Sequence, residues 1–235
     1  PCAISCDGAF LTHSQALVKV PSQEKVNAFL PRYDRGDLML HPDNPITVAP
    51  QVNEDWLMEI RRQTAAAMDR SPTVIREAYA DFERIFGRSY PNPFFEEYQT
   101  EDADVVLVGM GTLSNPVRVA IRQMRQEGKK VGFVRMRWFR PFAAEELAAT
   151  LGRFKAVGVL DRDFSLGSPY RSGVLATEVR AAMYPAPKRP PILGFICGLG
   201  GREVTVPDVK KMTESVYLAA EGKTQPGTKW IGLRE

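Results

Sequence analysis

Residues 104–116 read DVVLVGMGTLSNP, and this stretch decides the fold that the sequence predicts. An uninterrupted apolar run ends in a glycine turn, after which Asn115-Pro116 opens a helix that continues to Gly128. A run without alternation is typical of a strand that is buried on both faces. Proline at the start and glycine at the end are helix boundary signals. The stretch therefore predicts a strand, a turn and a helix, which is the repeating unit of a parallel sheet.

The same unit recurs toward the C-terminus. Three more strands are predicted at residues 130–136, 156–161 and 192–197, and three more helices at residues 143–151, 172–184 and 207–220. Because strands and helices alternate at this spacing, the predicted fold class is α/β, with a mostly parallel sheet and helices on both faces. This domain is predicted to span residues 99–222, and residues 223–235 are predicted to form a polar tail.

The first hundred residues follow a different pattern. Regular prolines predict an extended arm over residues 21–52 that wraps over another surface. Apolar residues then recur at threes and fours, which predicts a helical pair in a connector over residues 53–98. The second helix of the pair is expected to begin at Ser71-Pro72 and to end at Gly87. Since the chain opens on PCAISCDGAF, a strand entering a turn, we expect the protein to have a further part before this sequence.

Composition limits the function classes. A net charge of +3 without a basic block gives no indication of a nucleic-acid partner. The sequence has neither an apolar run of membrane-spanning length nor a signal pattern, so we expect a cytoplasmic protein without a membrane partner. Three cysteines without a C-x-x-C pair and two histidines are too few soft ligands for an intrinsic zinc site or iron-sulfur cluster. No metal-binding residue is predicted.

The GMGTLS loop, residues 109–114, allows two interpretations. The spacing of Gly109, Gly111 and Ser114 is close to a dinucleotide fingerprint at a helix N-terminus. The next strand carries arginines where the acidic residue for the ribose would stand, and Arg137 could bind the 2′-phosphate of NADP. The loop is thus either part of an NADP-binding module or a glycine turn that lets the helix pack closely. The second interpretation is favoured because a lone glycine motif is a weak signal.

Arginines and carboxylates supply further candidates. Arg135, Arg137 and Arg140 alternate with aromatic residues in RMRWFRPF, a composition that favours a protein interface over a small-anion site. Asp161 and Asp163 follow a strand and could bind a cation or, with His13, form an acid/base hydrolase site. A turn cap or an ion pair with Arg162 or a neighbouring arginine is the favoured role for one of them.

Two loops remain. In CDGAFLTHS, residues 6–14, a turn at Asp7-Gly8 is followed by Thr12 and His13. Histidine suits proton transfer, although a hydrogen-bonded structural histidine is the commoner outcome.

In GLGGRE, residues 198–203, the glycines resemble a phosphate cradle, but the following helix begins too late for its N–H groups to converge there. We expect Gly198, Gly200 and Gly201 to give a backbone path along which Arg202 and Glu203 meet a neighbouring domain or subunit.

Together these segments resemble a known family. DGAFLTH, FLPRY, HPDNPITV, IFGRSY, TEDADVVLVGMGTLS, EGKKVGFVRMRWFRPF, AVGVLDR and GFICGLGGREVT are similar to the C-terminal two-thirds of the alpha subunit of 2-oxoacid:ferredoxin oxidoreductases. Pyruvate:ferredoxin oxidoreductase and oxalate oxidoreductase are members. The resemblance covers nearly the whole chain in the family's order.

The resemblance implies a transketolase C-terminal-like domain over residues 99–222, with residues 1–20 closing a thiamine pyrimidine-binding-type domain. It implies oxidative decarboxylation of a small 2-oxoacid, such as pyruvate or oxalate, with electrons passed to ferredoxin. Thiamine diphosphate, Mg²⁺ and [4Fe-4S] clusters would be bound mainly by other domains or by beta, gamma and ferredoxin-like delta subunits, with coenzyme A as a possible acyl acceptor.

This chain alone is therefore expected to be inactive, with its arm, arginines and glycine loops as assembly surfaces. Candidates for the edge of the active site are Asp7, Gly8, Thr12 and His13.

Overall fold

The computed structural model describes residues 2–8, 10–36, 38–49 and 51–234. The chain forms two compact units, one made of Pro1–Ala16 and Phe94–Glu235 and the other of Leu17–Pro93. The predicted N-terminal segment, arm, turn and tail include residues 1, 9, 37, 50 and 235, which lie outside the described residues.

A six-stranded sheet forms the centre of the first unit. Its strands lie in the order β1-β3-β2-β4-β5-β6. The β1–β3 pair is antiparallel, and the other described pairs are parallel, which confirms the predicted mostly parallel sheet. The strands are β1 (Phe95–Tyr98), β2 (Val105–Met110), β3 (Val131–Met136), β4 (Ala156–Asp161), β5 (Ile192–Ile196) and β6 (Thr228–Trp230).

Helices cover both faces of this sheet. One face is covered by α3 (Ser114–Gln126) and α6 (Val206–Ala220), which pack on each other, and the other by α4 (Ala144–Leu151) and α5 (Val174–Met183). All six residues of β4 are buried, because a strand covered on both faces has no solvent side. Helix α6 begins with a capping box in which Thr205 and Asp208 bond each other's backbone N–H. The predicted strands and helices of this domain are thus present within two residues of their expected ends.

The second unit contains α1 (Gln23–Phe29) and α2 (Glu54–Phe86). The prediction of a wholly extended arm was wrong over α1, because Pro21 and Pro31 flank this seven-residue helix without interrupting it. The ring of Phe29 lies 5.6 Å from the rings of both Phe82 and Phe86. This aromatic contact packs the short helix on α2.

The predicted helical pair is a single helix, α2, that runs through Pro72. Proline lacks the N–H that would bond the carbonyl four residues earlier, which belongs to Met68. The hydroxyl of Ser71 donates to that carbonyl at 2.7 Å, so the oxygen keeps a partner and the helix continues. The predicted end is confirmed, since Gly87 caps α2 with a φ of 69°.

The two edge strands of the sheet were not predicted. β1 lies in what was expected to be the connector, and β6 lies in the predicted polar tail. Both are short and carry polar residues, with only Phe95 fully buried. Each of them is a strand because it pairs with a neighbouring strand, so its own residues carry little signal from which a strand could be predicted.

Helix α2 has 33 residues and is the longest of the described helices. Charged side chains recur along it from Glu54 to Arg84. Among the residues that the structure describes, no helix combines the length and apolar character needed to cross a membrane.

A glycine of β4 provides a test of this packing. A Cβ at Gly158 would lie 2.6 Å from Cγ2 of Val216 and 2.9 Å from Cδ2 of Leu107. We expect Gly158→Ala to lower the free energy of unfolding by about 1–3 kcal/mol through overpacking, measured by urea-induced unfolding. Gly109→Ala is the control, because its Cβ would lie 3.5 Å from the nearest atom, in Phe133. Equal destabilisation by the two substitutions would contradict the described core.

Candidate functional site

The candidate site lies at the carboxyl edge of the sheet, between β2 and β4. From β2 the chain proceeds to β3 on one side, and from β3 it crosses to β4 on the other side. The order of the strands therefore reverses between β2 and β4, and parallel sheets bind ligands in the crevice outside such a switch point. Thr112 follows β2 and Arg162 follows β4, so both side chains belong to this crevice.

The segment around Asp7 is held at this crevice. We name residues 7–8 and 10–14 the N-terminal turn. The guanidinium of Arg162 and the hydroxyl of Thr112 both donate to Oδ2 of Asp7, and Nη1 of Arg162 also donates to Oγ1 of Thr112 at 3.0 Å. The side chains of Arg162 and Asp7 are only 25% and 13% exposed. A half-buried charged pair therefore joins the N-terminal turn to the ends of two strands.

Glycine makes room for this ion pair. Gly198 has a φ of 71°, and a Cβ there would lie 2.9 Å from Nε of Arg162. On its other side, the guanidinium of Arg162 lies 5.1 Å from the ring centroid of Phe10, within range of a cation–π interaction. The GLGG loop thus forms a wall of the Arg162 site.

The end of this loop is bonded within the chain. The guanidinium of Arg202 donates to the backbone carbonyl of Gly232 in the C-terminal segment, and Arg202 and Glu203 are both exposed. Their expected contact with a neighbouring domain or subunit stays a prediction.

A cavity of about 210 Å³ opens beside the ion pair. Its charged lining residues are Arg162 and Glu203, and its apolar walls include Phe10, Pro116 and Val204. The cavity combines apolar walls with a few polar groups, which is the usual composition of a small-molecule site. The structure places Glu203 in this lining.

The other candidates in the N-terminal turn stabilise the turn itself. Oγ1 of Thr12 donates to the carbonyl of Gly8 at 2.6 Å, and Nδ1 of His13 contacts the same carbonyl and lies 3.1 Å from Oγ1 of Thr12. Both side chains are exposed. The structure thus brings Asp7 to the crevice and gives Gly8, Thr12 and His13 local roles, and the assignment of this turn to an active-site edge stays a prediction.

Asp161 and Asp163 cap the N-terminus of α5. The carboxylate of Asp161 accepts from the backbone N–H groups of Leu175 and Ala176 at 2.8 and 3.0 Å, and Asp163 accepts from that of Val174 at 2.9 Å. These are N–H groups of the first helical turn, which have no partner within the helix. A structural role was expected for one aspartate, and both have it.

The environment of Asp161 changes its ionisation. Burial raises the pKa of this carboxyl to about 7, and the nearby charge of Asp163 acts in the same direction, against the hydrogen bonds from α5. The described partners of the two aspartates belong to α5 and those of His13 to the N-terminal turn. No described contact joins His13 to either aspartate, so the acid/base hydrolase site receives no support.

The NADP interpretation receives no support. Oγ of Ser114 donates to the carbonyl of Gly111 at 2.7 Å, and Thr112 between them is bonded to Asp7. Nη2 of Arg137 lies 3.1 Å from Oε2 of Glu96, so this arginine is paired within the chain. Gly109 lies inside β2, where a Cβ would already contact Phe133. The favoured interpretation, a glycine turn for close packing, agrees with these contacts.

The donor groups of the described residues do not fit the inorganic cofactors of the resembled family. Cys2, Cys6 and Cys197 are free thiols, and burial raises the pKa of Cys197 to about 12; an iron-sulfur cluster needs four thiolates. In the described part of the chain, no group of three or more His, Cys, Asp or Glu side chains could hold a metal ion. These residues therefore do not fit a cluster or a magnesium–diphosphate site.

Sequence reasoning missed the central residue of the site. Arg162 entered only as a possible partner of the adjacent aspartates, and Thr112 and Gly198 were read as parts of glycine loops. The position of Arg162 in the sequence could have identified it. It directly follows a buried strand beside a switch point, which is where parallel sheets bind ligands. Its partner, 155 residues away in sequence, had no local signal.

Comparison with known proteins agrees with this architecture. The family model described as "Pyruvate:ferredoxin oxidoreductase core domain II" matches residues 103–209, and "Pyruvate flavodoxin/ferredoxin oxidoreductase, thiamine diP-bdg" matches residues 1–80. Pyruvate synthase subunit PorA of Methanocaldococcus jannaschii is 36% identical over 235 residues, covering 100% of this chain and 58% of that protein. Ketoisovalerate oxidoreductase subunit VorA of Pyrococcus abyssi is 36% identical over 234 residues, covering 99% and 58%.

Among solved structures, a split gene transketolase, an inactive beta4 tetramer, aligns with a TM-score of 0.41 and 17% identity, covering 57% of this chain and 44% of that chain.

Fold and site together define an α/β domain whose switch-point crevice is joined to a turn from the start of the chain. The chain belongs to the 2-oxoacid:ferredoxin oxidoreductase family, in which it matches the alpha subunit. It spans about 58% of the length of the curated relatives that it matches. The family resemblance predicted from the sequence is thus confirmed.

The raised pKa of Asp161 predicts a pH-dependent stability. Between about pH 4 and about pH 7, the carboxyl of Asp161 is protonated in the folded chain and ionised in the unfolded chain. The free energy of unfolding should therefore decrease as pH rises through this window and level off above it. Urea-induced unfolding at several pH values measures the slope, which Asp161→Asn should reduce. A slope that is unchanged in this variant would show that another group is responsible.

A double-mutant cycle tests the bond between Asp7 and Arg162. We expect Asp7→Asn and Arg162→Gln to show a coupling energy of about 1–3 kcal/mol, because the pair is half-buried. The exposed pair of Lys155 and Asp104, with side chains 65% and 37% exposed, is the reference and should couple by less than about 1 kcal/mol. The coupling energy follows from the unfolding free energies of the unsubstituted chain, the two single variants and the double variant in each cycle. Additive effects at Asp7 and Arg162 would contradict a direct bond.

Proposed function

We propose that this chain is part of the alpha subunit of a thiamine-diphosphate and iron-sulfur dependent 2-oxoacid:ferredoxin oxidoreductase. Such an enzyme decarboxylates a 2-oxoacid oxidatively and passes the electrons to ferredoxin. The observation that carries the proposal is the 36% identity to a pyruvate synthase subunit along all of this chain. The similar identity to a ketoisovalerate oxidoreductase subunit supports the broad class of 2-oxoacid as substrate.

Within that enzyme, the chain contributes assembly surfaces and one edge of the active site. The N-terminal turn supplies the edge, with Asp7, Gly8, Thr12 and His13 as its candidate residues. Its support is the Asp7–Arg162 bond, which fixes the turn at the switch point, where parallel sheets bind ligands. The match of residues 1–80 to a thiamine diphosphate-binding family model also supports this role.

Other domains and subunits hold the cofactors. The donor set of the described residues fits neither a [4Fe-4S] cluster nor a magnesium–diphosphate site, so we assign thiamine diphosphate with Mg²⁺ and the clusters to partners of the beta, gamma and ferredoxin-like delta type. Coenzyme A is the acyl acceptor where the product is a thioester. The residues of this chain orient the N-terminal turn and shield the crevice from water, and no chemical step is assigned to them.

Co-expression with the predicted partner subunits tests this function. The chain should co-purify with subunits that carry thiamine diphosphate and iron-sulfur clusters, and only the assembly should reduce ferredoxin in the presence of a 2-oxoacid. The chain alone should be inactive. Failure to associate with such subunits under anaerobic conditions would contradict the proposal.

A matched pair of variants tests the role of the N-terminal turn. Asp7→Asn should lower kcat by about tenfold or more, because a loosened turn misplaces groups at the reacting centre. Asp104→Asn, the same change at the residue before the amino end of β2, on the opposite edge of the sheet from the crevice, should leave kcat within about twofold. If the two assembled variants have the same activity, the turn does not shape the active site.

A further inference from the structure

An arginine cluster lies at the carboxyl end of β3, separate from the Asp7–Arg162 site. Its guanidinium groups approach the carboxylate of Glu96 on β1 from three directions. Arg118 of α3 lies 2.5 Å from Oε1, and Arg137 and Arg135 lie 3.1 and 3.9 Å from Oε2. We name Arg118, Arg135 and Arg137 the arginine cluster.

Arg135 is incompletely paired. Its 3.9 Å contact with Glu96 is longer than a hydrogen bond, and its Nε is buried with no hydrogen-bond partner among the described residues. An unsatisfied buried N–H of a charged group is unfavourable. Since Glu96 is also bonded by Arg118 at 2.5 Å, one carboxylate serves more than one cation here. The cluster can therefore accept additional negative charge.

The surroundings of the cluster are those of a protein-facing surface. β1 is an edge strand of the sheet, and Arg118 and Arg135 remain 28% and 38% exposed. Arg122 is exposed one turn further along α3, so it extends the positive charge on the same helix face. The ring of Tyr98 lies under Arg118, 4.9 Å from its guanidinium, and holds it in place.

We infer that the arginine cluster is a docking surface for an acidic segment of a neighbouring subunit, an inference that rests on the proposed membership of an assembled oxidoreductase. Charge complementarity identifies the chemistry of the partner, because carboxylates pair with guanidinium groups through two parallel hydrogen bonds. Glu96 makes only single contacts with the three arginines of the cluster. Arginine beside aromatic residues, here Trp138 and Phe139 next to Arg137, is enriched in protein interfaces.

Zero-length cross-linking of the assembled complex tests this inference. In Arg135→Lys, a carbodiimide should join the introduced lysine to an aspartate or glutamate of another subunit, identified by mass spectrometry. Arg153→Lys is the matched control, because Arg153 pairs with Glu97, the adjacent residue on the opposite face of β1. The lysine introduced by Arg153→Lys should cross-link to a carboxylate of the same chain. Links from Arg135→Lys only to Glu96 or to other carboxylates of this chain would overturn the inference.

The salt dependence of assembly provides a second readout. The double variant Arg118→Gln/Arg135→Gln should weaken association with the partner about tenfold at low ionic strength and flatten its salt dependence, and Arg118→Lys/Arg135→Lys should restore much of it. Arg153→Gln should match the unsubstituted complex. Unchanged association of the double glutamine variant would overturn the docking surface.

Two further outcomes are distinguishable. If inorganic pyrophosphate binds the unsubstituted complex, is lost from the double glutamine variant and leaves association unaffected, the cluster is a small-anion site and the docking inference is overturned. If the complex assembles normally and only the cluster tests fail, the inference falls and the proposed function stands. If the unsubstituted chain never assembles, the proposed function itself falls, and the inference falls with it.

Discussion

The bond between Asp7 and Arg162 is the interaction on which the site depends. It joins residues 155 positions apart and places the N-terminal turn over the crevice between β2 and β4. The hydroxyl of Thr112 donates a hydrogen bond to the same carboxylate. Gly198 leaves space for the guanidinium of Arg162. A charged group this far from water is stable only when it is paired. The loss of either partner would therefore leave an unpaired charge as well as a loose turn.

Several other polar groups of the first unit are also bonded within the chain. Asp161 and Asp163 accept hydrogen bonds from the first turn of α5, and Arg202 donates to the carbonyl of Gly232. The sequence had suggested catalysis or assembly for these residues. Arg135 differs from them because its guanidinium shares the carboxylate of Glu96 with two other arginines while its Nε has no hydrogen-bond partner among the described residues.

The parallel core could be predicted from the sequence because its signals are local. The apolar runs of β2 and β4 and the glycine at the end of α2 act through neighbouring residues, and both strands and the end of the helix were found where they were expected. The edge strands β1 and β6 were missed because pairing with another strand defines them. Pro72 predicted a helix boundary, but the hydroxyl of Ser71 replaces the missing backbone bond, a compensation that residue preference does not encode.

The candidate site was predictable in part for the same reason. Asp7, Thr12 and His13 were identified from their residue types, whereas the tie to Arg162 depends on tertiary contact. The most direct measurement is a structure of the assembled oxidoreductase with thiamine diphosphate bound. We expect the N-terminal turn to line the coenzyme cavity with the Asp7–Arg162 bond intact. A turn that lies away from the coenzyme, or a broken bond in the active assembly, would contradict it.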